Sequence, residues 1–482
     1  MKIQVLIFLF ILAGGSAGAH SGKPKYHVVI DTDGAIDDMR AISMLLSAND
    51  IRVLAITCSQ GTLPPQTVFN KVQALLSAFH HEGIPVGIGR QTDFEPPEWA
   101  GFAENVFWGA SEDEHKQDYQ DHAVPLLNNI LKDYPDNVVL IALGSLLTYA
   151  ELIKHNPGVK EQTERIIWYN DHEIEQGFNY CVSPESYEFI QESGITIDIV
   201  GNPREKLPLN DAYLNEIKNA NSLYAAQIRD VHSQKPVAER VNMGLMRLWD
   251  DLVPLYLTLP VLFEVQTEND IKRVSLMESL PEEYIYELVG KLLVSATASV
   301  NRVFSEFPVD ATLYLPAYRS ILDQTVEKYG LIEWKAITLT NEIHGHTGIY
   351  SIIGAKMGIR AMEYFNVGVN NLKVITYAGN DPPVSCFNDG IQVSTGATIG
   401  QGLISVSDSI SIIPSAQFEF NNQKIIISLK PEIAGQMRAE IAYGELNFGI
   451  LTDQYWLYIE KRAITYWTDF NRQEIFIISR VN

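Results

Sequence analysis

Cysteine is almost missing from this chain. Cys58, Cys181 and Cys386 are the only three among 482 residues, which excludes a dense disulfide framework. Cys58 and Cys181 fall beside strand ends, where small packed residues are common. Positive charge is short as well: 36 Lys and Arg stand against 59 Asp and Glu, a formal charge of −23. That balance argues against nucleic acid as a partner, because its phosphates would be repelled. Beyond the N-terminus no apolar run is long enough to span a bilayer. Internal repeats and low-complexity tracts are missing too. The glycines between Gly396 and Gly402 match neither a Walker loop nor a dinucleotide fingerprint. What remains, 46% hydrophobic and 20% charged, is the composition of an ordered soluble protein. Its length exceeds one ordinary core, so two domains are expected.

The N-terminus has the pattern of a targeting segment. Lys2 supplies a basic start, Val5 to Ala13 an apolar stretch, and Ala17-Gly18-Ala19 a cleavage pattern. Residues 1–19 are therefore expected to be a signal peptide. Residues 20–320 are expected to form a first domain and residues 321–482 a second. No cysteine stands near the cleavage pattern, which argues against lipid attachment. The mature chain would work outside the cytoplasm, in a periplasmic or extracellular space, with no membrane contact after cleavage. A buried first helix is the competing reading.

The first domain alternates strands and helices. Tyr26 to Ile30, Ile51 to Thr57, Val138 to Leu143, Arg165 to Tyr169 and Ile195 to Val200 read as strands. Met39 to Leu46, Leu147 to Ile153 and Pro184 to Gln191 read as helices. This rhythm predicts an α/β fold with a doubly wound, mostly parallel sheet. Residues 204–310 read as mainly helical, including Asn210 to Val231 and Glu282 to Val303.

Between the first strand and the first helix lie Asp31, Asp33, Asp37 and Asp38. Four carboxylates in eight residues repel one another unless a cation or shared protons compensate. A strand-to-helix turn is also where open parallel sheets place their ligands. An all-oxygen donor set favours a hard ion, Ca²⁺ before Mg²⁺. Two plainer readings compete. Asp37 and Asp38 would favour a helix N-terminus through its dipole, and Asp31 or Asp33 would serve as cap or turn former.

The pattern Asp31-x-Asp33-x-x-x-Asp37-Asp38 resembles the opening motif of the inosine–uridine-preferring nucleoside hydrolases. Further segments resemble that family in the same order, over about residues 25–310. They are Leu54-Ala55-Ile56-Thr57 with Gly61, Val139 to Leu146, Phe178-Asn179 with Pro184-Glu185, and Trp249-Asp250 followed by Leu252 to Tyr256. The resemblance implies that Asp33, Asp38 and Asp250, with the backbone carbonyl of Leu143, hold calcium. It implies Asp33 as the base that activates water, Asp37 and Asn179 as the residues that hold the ribose, and Asp31 as their support from behind. The implied activity is hydrolysis of the N-glycosidic bond of nucleosides or related ribosides.

The chain also departs from that pattern. The family commonly has His where Trp249 stands, and Glu where Gly177 stands. Gly34-Ala35 replaces a Pro-Gly pair, and Thr62 replaces an Asn. Asp171, His172, Glu173 and Glu175 lie close by in sequence, and His172 is a candidate replacement acid.

Near residue 320 the texture changes. Ile343-His344-Gly345-His346-Thr347-Gly348 precedes an expected helix, Ile352 to Phe365. A turn-rich stretch then contains Asn380-Asp381 and Cys386 to Gln392, followed by Thr395 to Gly402. Together these resemble the E-type formylmethanofuran dehydrogenase family, with a smaller α+β domain over about residues 325–482. That family often has Cys where Thr347 and Ala397 stand, which weakens a redox role. His344, His346 and Cys386 are a candidate transition-metal site, with Zn²⁺ the ion of choice. Hydrogen-bonded imidazoles and a buried thiol are the alternative. Gln417 to Phe420, Lys424 to Leu429, Trp456 to Tyr458 and Glu474 to Ser479 read as strands.

Three functional readings follow. The first is an exported, calcium-dependent N-ribosyl hydrolase. The second is a non-catalytic binder of calcium and ribosides with a degenerate site. The third places the activity in a metal-binding second domain. A pocket between the domains and a second copy of the chain are further candidates for site and partner.

Overall fold

The structure, a computed structural model, describes residues 24–109, 121–132, 134, 137–202, 206–268, 270–295 and 303–481. The expected signal peptide, residues 1–19, lies outside the described residues. The first domain is built on a nine-stranded sheet of order β4-β3-β2-β1-β5-β6-β7-β9-β8. The strands are β1 (Tyr26–Thr32), β2 (Ile51–Cys58), β3 (Val86–Ile88), β4 (Asp121–His122), β5 (Val138–Ala142), β6 (Thr163–Tyr169), β7 (Ile197–Val200), β8 (Phe263–Glu268) and β9 (Ile271–Leu276). All neighbours pair parallel except β8 with β9. β1 is buried along most of its length and alternates between two cores. Val28 and Ile30 pack on one face of the sheet, Val29 on the other. From β1 the order runs outward in both directions, to β2 on one side and β5 on the other. That reversal is the switch point at which such sheets open a crevice at their carboxyl edge. Helix α1 (Ile36–Ser47) follows β1, and helix α2 (Pro65–Ala78) follows β2.

The second domain carries a five-stranded sheet of order β11-β10-β12-β13-β14. Its strands are β10 (Lys373–Thr376), β11 (Ile404–Val406), β12 (Ser415–Phe420), β13 (Gln423–Leu429) and β14 (Phe476–Val481). The helix Ile349–Phe365 is buried on nearly every side. The helix Cys386–Thr395 lies against it with almost no separation. A Cβ at Gly354 would sit 2.1 Å from the Phe387 carbonyl, and one at Gly390 would sit 2.1 Å from the Ser351 carbonyl. Glycine at both positions permits the close approach.

Several sequence expectations are corrected. The region read as mainly helical contains the β8–β9 hairpin. Its β8 signal is short, six residues in which Phe263, Val265 and Thr267 alternate with polar residues, and the strand is an exposed edge from Glu264 to Glu268. The stretch Asn210 to Val231 is two helices, Asp211–Asn219 and Leu223–Ser233. The Ser222 side chain caps the second by accepting from the Ala225 N–H. Trp456 to Tyr458 is not a strand but part of the helix Asp453–Asp469, capped by Thr452. Its buried residues Tyr455, Ile459, Ala463, Tyr466 and Trp467 follow helical spacing. Cys386 to Gln392 forms a helix rather than a turn. Cys181 is exposed on the short helix Phe178–Val182, not packed beside a strand, while Cys58 is buried as expected, and all three cysteines are free. Among the described residues no helix is long and apolar enough to cross a membrane.

Candidate metal and sugar site

The turn between β1 and α1 is closed by its own side chains. The Thr32 hydroxyl donates to Asp38 Oδ2 at 2.6 Å, and the Asp33 N–H donates to the same oxygen at 3.0 Å. Asp38 thus reaches back from the first turn of α1 to satisfy the end of the strand, as a helix-start carboxylate does. Gly34 takes a φ of +80°, and a Cβ there would sit 3.0 Å from Val68 Cγ2, so a side chain would be strained and crowded. Asp33 is pressed against the turn after β2. A Cβ added at Gly61 would lie 2.1 Å from Asp33 Oδ2. Asp31 is fully buried one layer below, and its Oδ1 accepts from the Thr57 hydroxyl at 2.6 Å.

A remote segment completes the cluster. Asp250 precedes the helix Leu252–Thr258, and its neighbour Asp251 is clamped by Arg40 of α1. Arg40 Nε and Nη2 donate to the two Asp251 oxygens at 2.9 and 2.7 Å, and Nη2 also donates to the Arg247 carbonyl. Both partners of that ion pair are fully buried. The clamp carries Asp250 to α1, where ligand oxygens of Asp37, Asp38 and Asp250 lie within 4.8 Å of one another. Among the described residues this is the one group of three such side chains.

Burial dominates the electrostatics. It pushes the Asp31 carboxyl up to about 7, against the lowering effect of hydroxyls from Ser59, Thr57 and Thr148. It pushes Asp33 up to about 6, with Thr62 lowering it and Asp37 raising it. Burial and then the charges of Asp33 and Asp37 hold Asp38 well above the usual carboxylate range. Asp250 is raised likewise, by burial, by Asp38 and by Asp37, to which it is hydrogen-bonded. Burial raises Asp37 as well, with the Arg40 guanidinium opposing it. Shared protons therefore hold the cluster together when no cation does.

The donor set fits a hard cation. It is all oxygen, and Asp250 Oδ1 is buried without a partner. The turn carrying Leu143 lies against Asp33, since a Cβ at Gly144 would sit 3.2 Å from Asp33 Cβ. The Leu143 carbonyl accepts from Asn179 Nδ2 at 2.6 Å, and the same Nδ2 donates to the Tyr169 carbonyl at 3.0 Å. A carbonyl oxygen keeps a second lone pair for another partner. Asn179 is left with its Oδ1 as an acceptor. The structure thus brings together Asp37, Asp38 and Asp250, sets Asp33 at their edge and Asp31 beneath, and links Leu143 to Asn179.

Other expected residues are not part of this cluster. His172 Nε2 donates to the Val274 carbonyl at 3.1 Å, and burial lowers its pKa, which opposes service as a charged acid. Gly177 has no room for the family's Glu, because its missing side chain would meet Asn170 Oδ1 at 2.0 Å. In the second domain His344, His346 and Cys386 do not form a group of three ligands. His344 Nδ1 donates to Asp389 at 2.8 Å, and the His346 ring lies between His344 and Trp456, tilted to both. Cys386 begins a helix, with its thiol pushed up by burial. A zinc site there has no support. Sequence reasoning misses Arg40, Asp251, Thr32 and Asn170. Arg40 three residues after Asp37, and a second acid after Asp250, are the available signals.

A parallel sheet with acids gathered above its switch point is an enzyme architecture. Residues 28–294, more than half of the chain, match the family model for inosine-uridine preferring nucleoside hydrolase, and the chain belongs to that family of N-glycosyl hydrolases. Residues 343–448 match the model described as FmdE, molybdenum formylmethanofuran dehydrogenase operon. The chain is 26% identical over 231 residues to uridine nucleosidase 1 of Arabidopsis thaliana, covering 45% of this chain and 68% of that protein. It is 24% identical to the pyrimidine-specific ribonucleoside hydrolase RihA of Klebsiella pneumoniae, covering 49% of this chain and 80% of that protein. A solved purine-preferring ribonucleoside hydrolase from Gardnerella vaginalis aligns over 56% of this chain and all of its own, at 15% identity and a TM-score of 0.47.

Proposed function

We propose that the chain is an exported, calcium-dependent hydrolase of nucleosides or related ribosides. The observation that carries this reading is the convergence of Asp37, Asp38 and Asp250, drawn from two distant segments, with Asp33 beside them. Asp33, Asp38 and Asp250 with the Leu143 carbonyl would hold Ca²⁺. The cation, when bound, supplies the charge that positions a water molecule and lowers its pKa. Asp33 would serve as the base for the attacking water, its carboxylate favouring the positive charge that develops on the sugar before the proton is transferred. Asp37 and Asn179 hold the ribose hydroxyls, and Asp31 supports Asp33 from below. Trp249 stands where the family has a titratable His, so it supplies no proton to the departing base. Export is supported by the basic, apolar and small-residue pattern of the first 19 residues.

A second reading has its own observation. Asn170 fills the room in which the family carries a Glu, which favours a binder that holds calcium and ribosides without turnover. One assay separates the two. Purified protein is offered inosine, uridine and p-nitrophenyl riboside, with Ca²⁺ and with a chelator. The enzyme reading expects ribose release that vanishes with chelator and in Asp33→Ala, fastest for the nitrophenyl leaving group, which needs no proton. Calcium and ribose binding with no release from any of the three would leave only the binder.

A further inference from the structure

Strand β6 ends at the carboxyl edge with Trp168 and Tyr169. The Trp168 ring N–H donates to the Gly144 carbonyl at 2.9 Å, and its ring stacks on Tyr187. Successive strand residues face opposite ways, so Tyr169 faces the side of the sheet that carries α1 and the helix Leu252–Thr258. It packs against that core while only partly buried. The charges that bear on its phenol are the carboxyls of Asp250 and Asp37, then Asp171 and Asp251. Its own carbonyl accepts from Asn179. Among the described residues no protein group pairs with its hydroxyl.

The direction of this side chain is fixed from both sides. Trp168 is anchored before it. After it, Asn170 Nδ2 donates to the carbonyls of Asp171 and Ile174 at 3.1 Å, and Asn170 Oδ1 accepts from the Tyr180 N–H at 3.2 Å. The absence of a side chain at Gly177 is what lets Asn170 occupy that position.

The side chains around the cluster are rich in acceptors and short of donors. Ionised Asp33, Asp37 and Asp38 only accept, and Asn179 already donates to two protein carbonyls. A sugar hydroxyl both donates and accepts, so a donor from the protein would complete the bonding of a sugar held there. We infer that Tyr169 is a substrate-facing specificity residue, whose hydroxyl donates to the sugar between Asp37 and Asn179. This inference rests on the riboside reading of the same site. The ligand class is a furanose with free hydroxyls.

Wild-type protein and Tyr169→Phe, which keeps the ring, test it. Calcium affinity and ribose affinity are measured for both by titration calorimetry, with kcat/KM for p-nitrophenyl riboside alongside. The expected result is a loss of about tenfold in ribose affinity, the effect of one hydrogen bond, with calcium affinity and melting temperature unchanged. Equal ribose affinity in the two proteins overturns the inference and leaves the riboside reading standing. Equal loss of calcium and ribose affinity also overturns it, because the phenol would then only support the cluster. A wild-type protein that binds calcium but no ribose overturns both.

Discussion

At the scale of single residues, desolvation sets the chemistry. Asp31 and Asp33 start from an ordinary value of 3.8 and are raised to about 7 and about 6 by burial. Between the ordinary and the raised value the folded protein binds more protons than the unfolded chain. Stability contributed by these groups is therefore fully present below about pH 4 and is lost as pH rises through 6 and 7. A divalent cation reverses the argument, since it favours the charged form. The expected outcome is that chelated protein melts at a lower temperature at pH 7.5 than at pH 5, and that added Ca²⁺ raises the melting temperature more at pH 7.5. Calorimetry at both pH values, with and without Ca²⁺, measures this. Thr32 and Thr57 carry the same lesson in miniature, because each hydroxyl supplies a buried carboxylate with one donor.

At the scale of elements, α1 organises the site. Its first turn presents Asp37 and Asp38, and Arg40 on the same helix grips the segment that bears Asp250. One short helix thus carries two of the acids and the clamp for the third. Arg40→Ala would leave Asp251 buried without its partner, which costs about 3–5 kcal/mol. It would also release Asp250 from the cluster. The expected result is a lower melting temperature together with weakened calcium binding, whereas Asp250→Asn should weaken calcium binding with little loss of stability. Chemical denaturation and calcium titration of both variants separate the two effects. The hairpin of β8 and β9 teaches the opposite lesson about elements. It extends the sheet beyond β7, and Phe263, Val265 and Thr267 alternate with Glu264, Gln266 and Glu268, a strand pattern only six residues long inside a region that otherwise reads as helical.

At the scale of the whole molecule, the two domains meet at the amino edge of the first sheet, away from the acid cluster. Arg360 donates to both Glu82 oxygens at 3.1 Å and to the His80 carbonyl. The His81 ring donates to the Glu363 carbonyl and accepts from the Tyr224 hydroxyl, both at 2.7 Å, and burial lowers its pKa to about 4. The Gly83 N–H donates to the Tyr364 carbonyl, and Asn366 reaches the Leu46 carbonyl at the end of α1. A substrate pocket between the domains, one of the sequence expectations, is therefore not where the acids lie. The 17-residue helix Ile349–Phe365 spans about 25 Å at 1.5 Å per residue. Its C-terminal end makes the interface, and its N-terminal end lies near His344 and Asp389. Arg360→Ala is expected to lower stability by about 1–2 kcal/mol and to leave calcium affinity unchanged. An effect on calcium affinity would show that the interface reaches the acid cluster after all.

The amino-acid sequence by itself determined the alternation of β1, α1 and β2, the acid-rich turn between them, and the presence of a second, smaller α+β domain. Each of these is local: apolar periodicity, turn residues and charge density act over a dozen residues or fewer. The resemblance already set Asp250 with Asp38; only the tertiary structure showed what brings it there, an Arg40–Asp251 pair separated by 211 positions, and that Asp37 is the third acid of the group. It alone decided that Asn170 occupies the space beside Gly177, that His344, His346 and Cys386 do not converge, and that Trp456 to Tyr458 is helical. Those outcomes follow from packing and desolvation, which are set by neighbours distant in the chain.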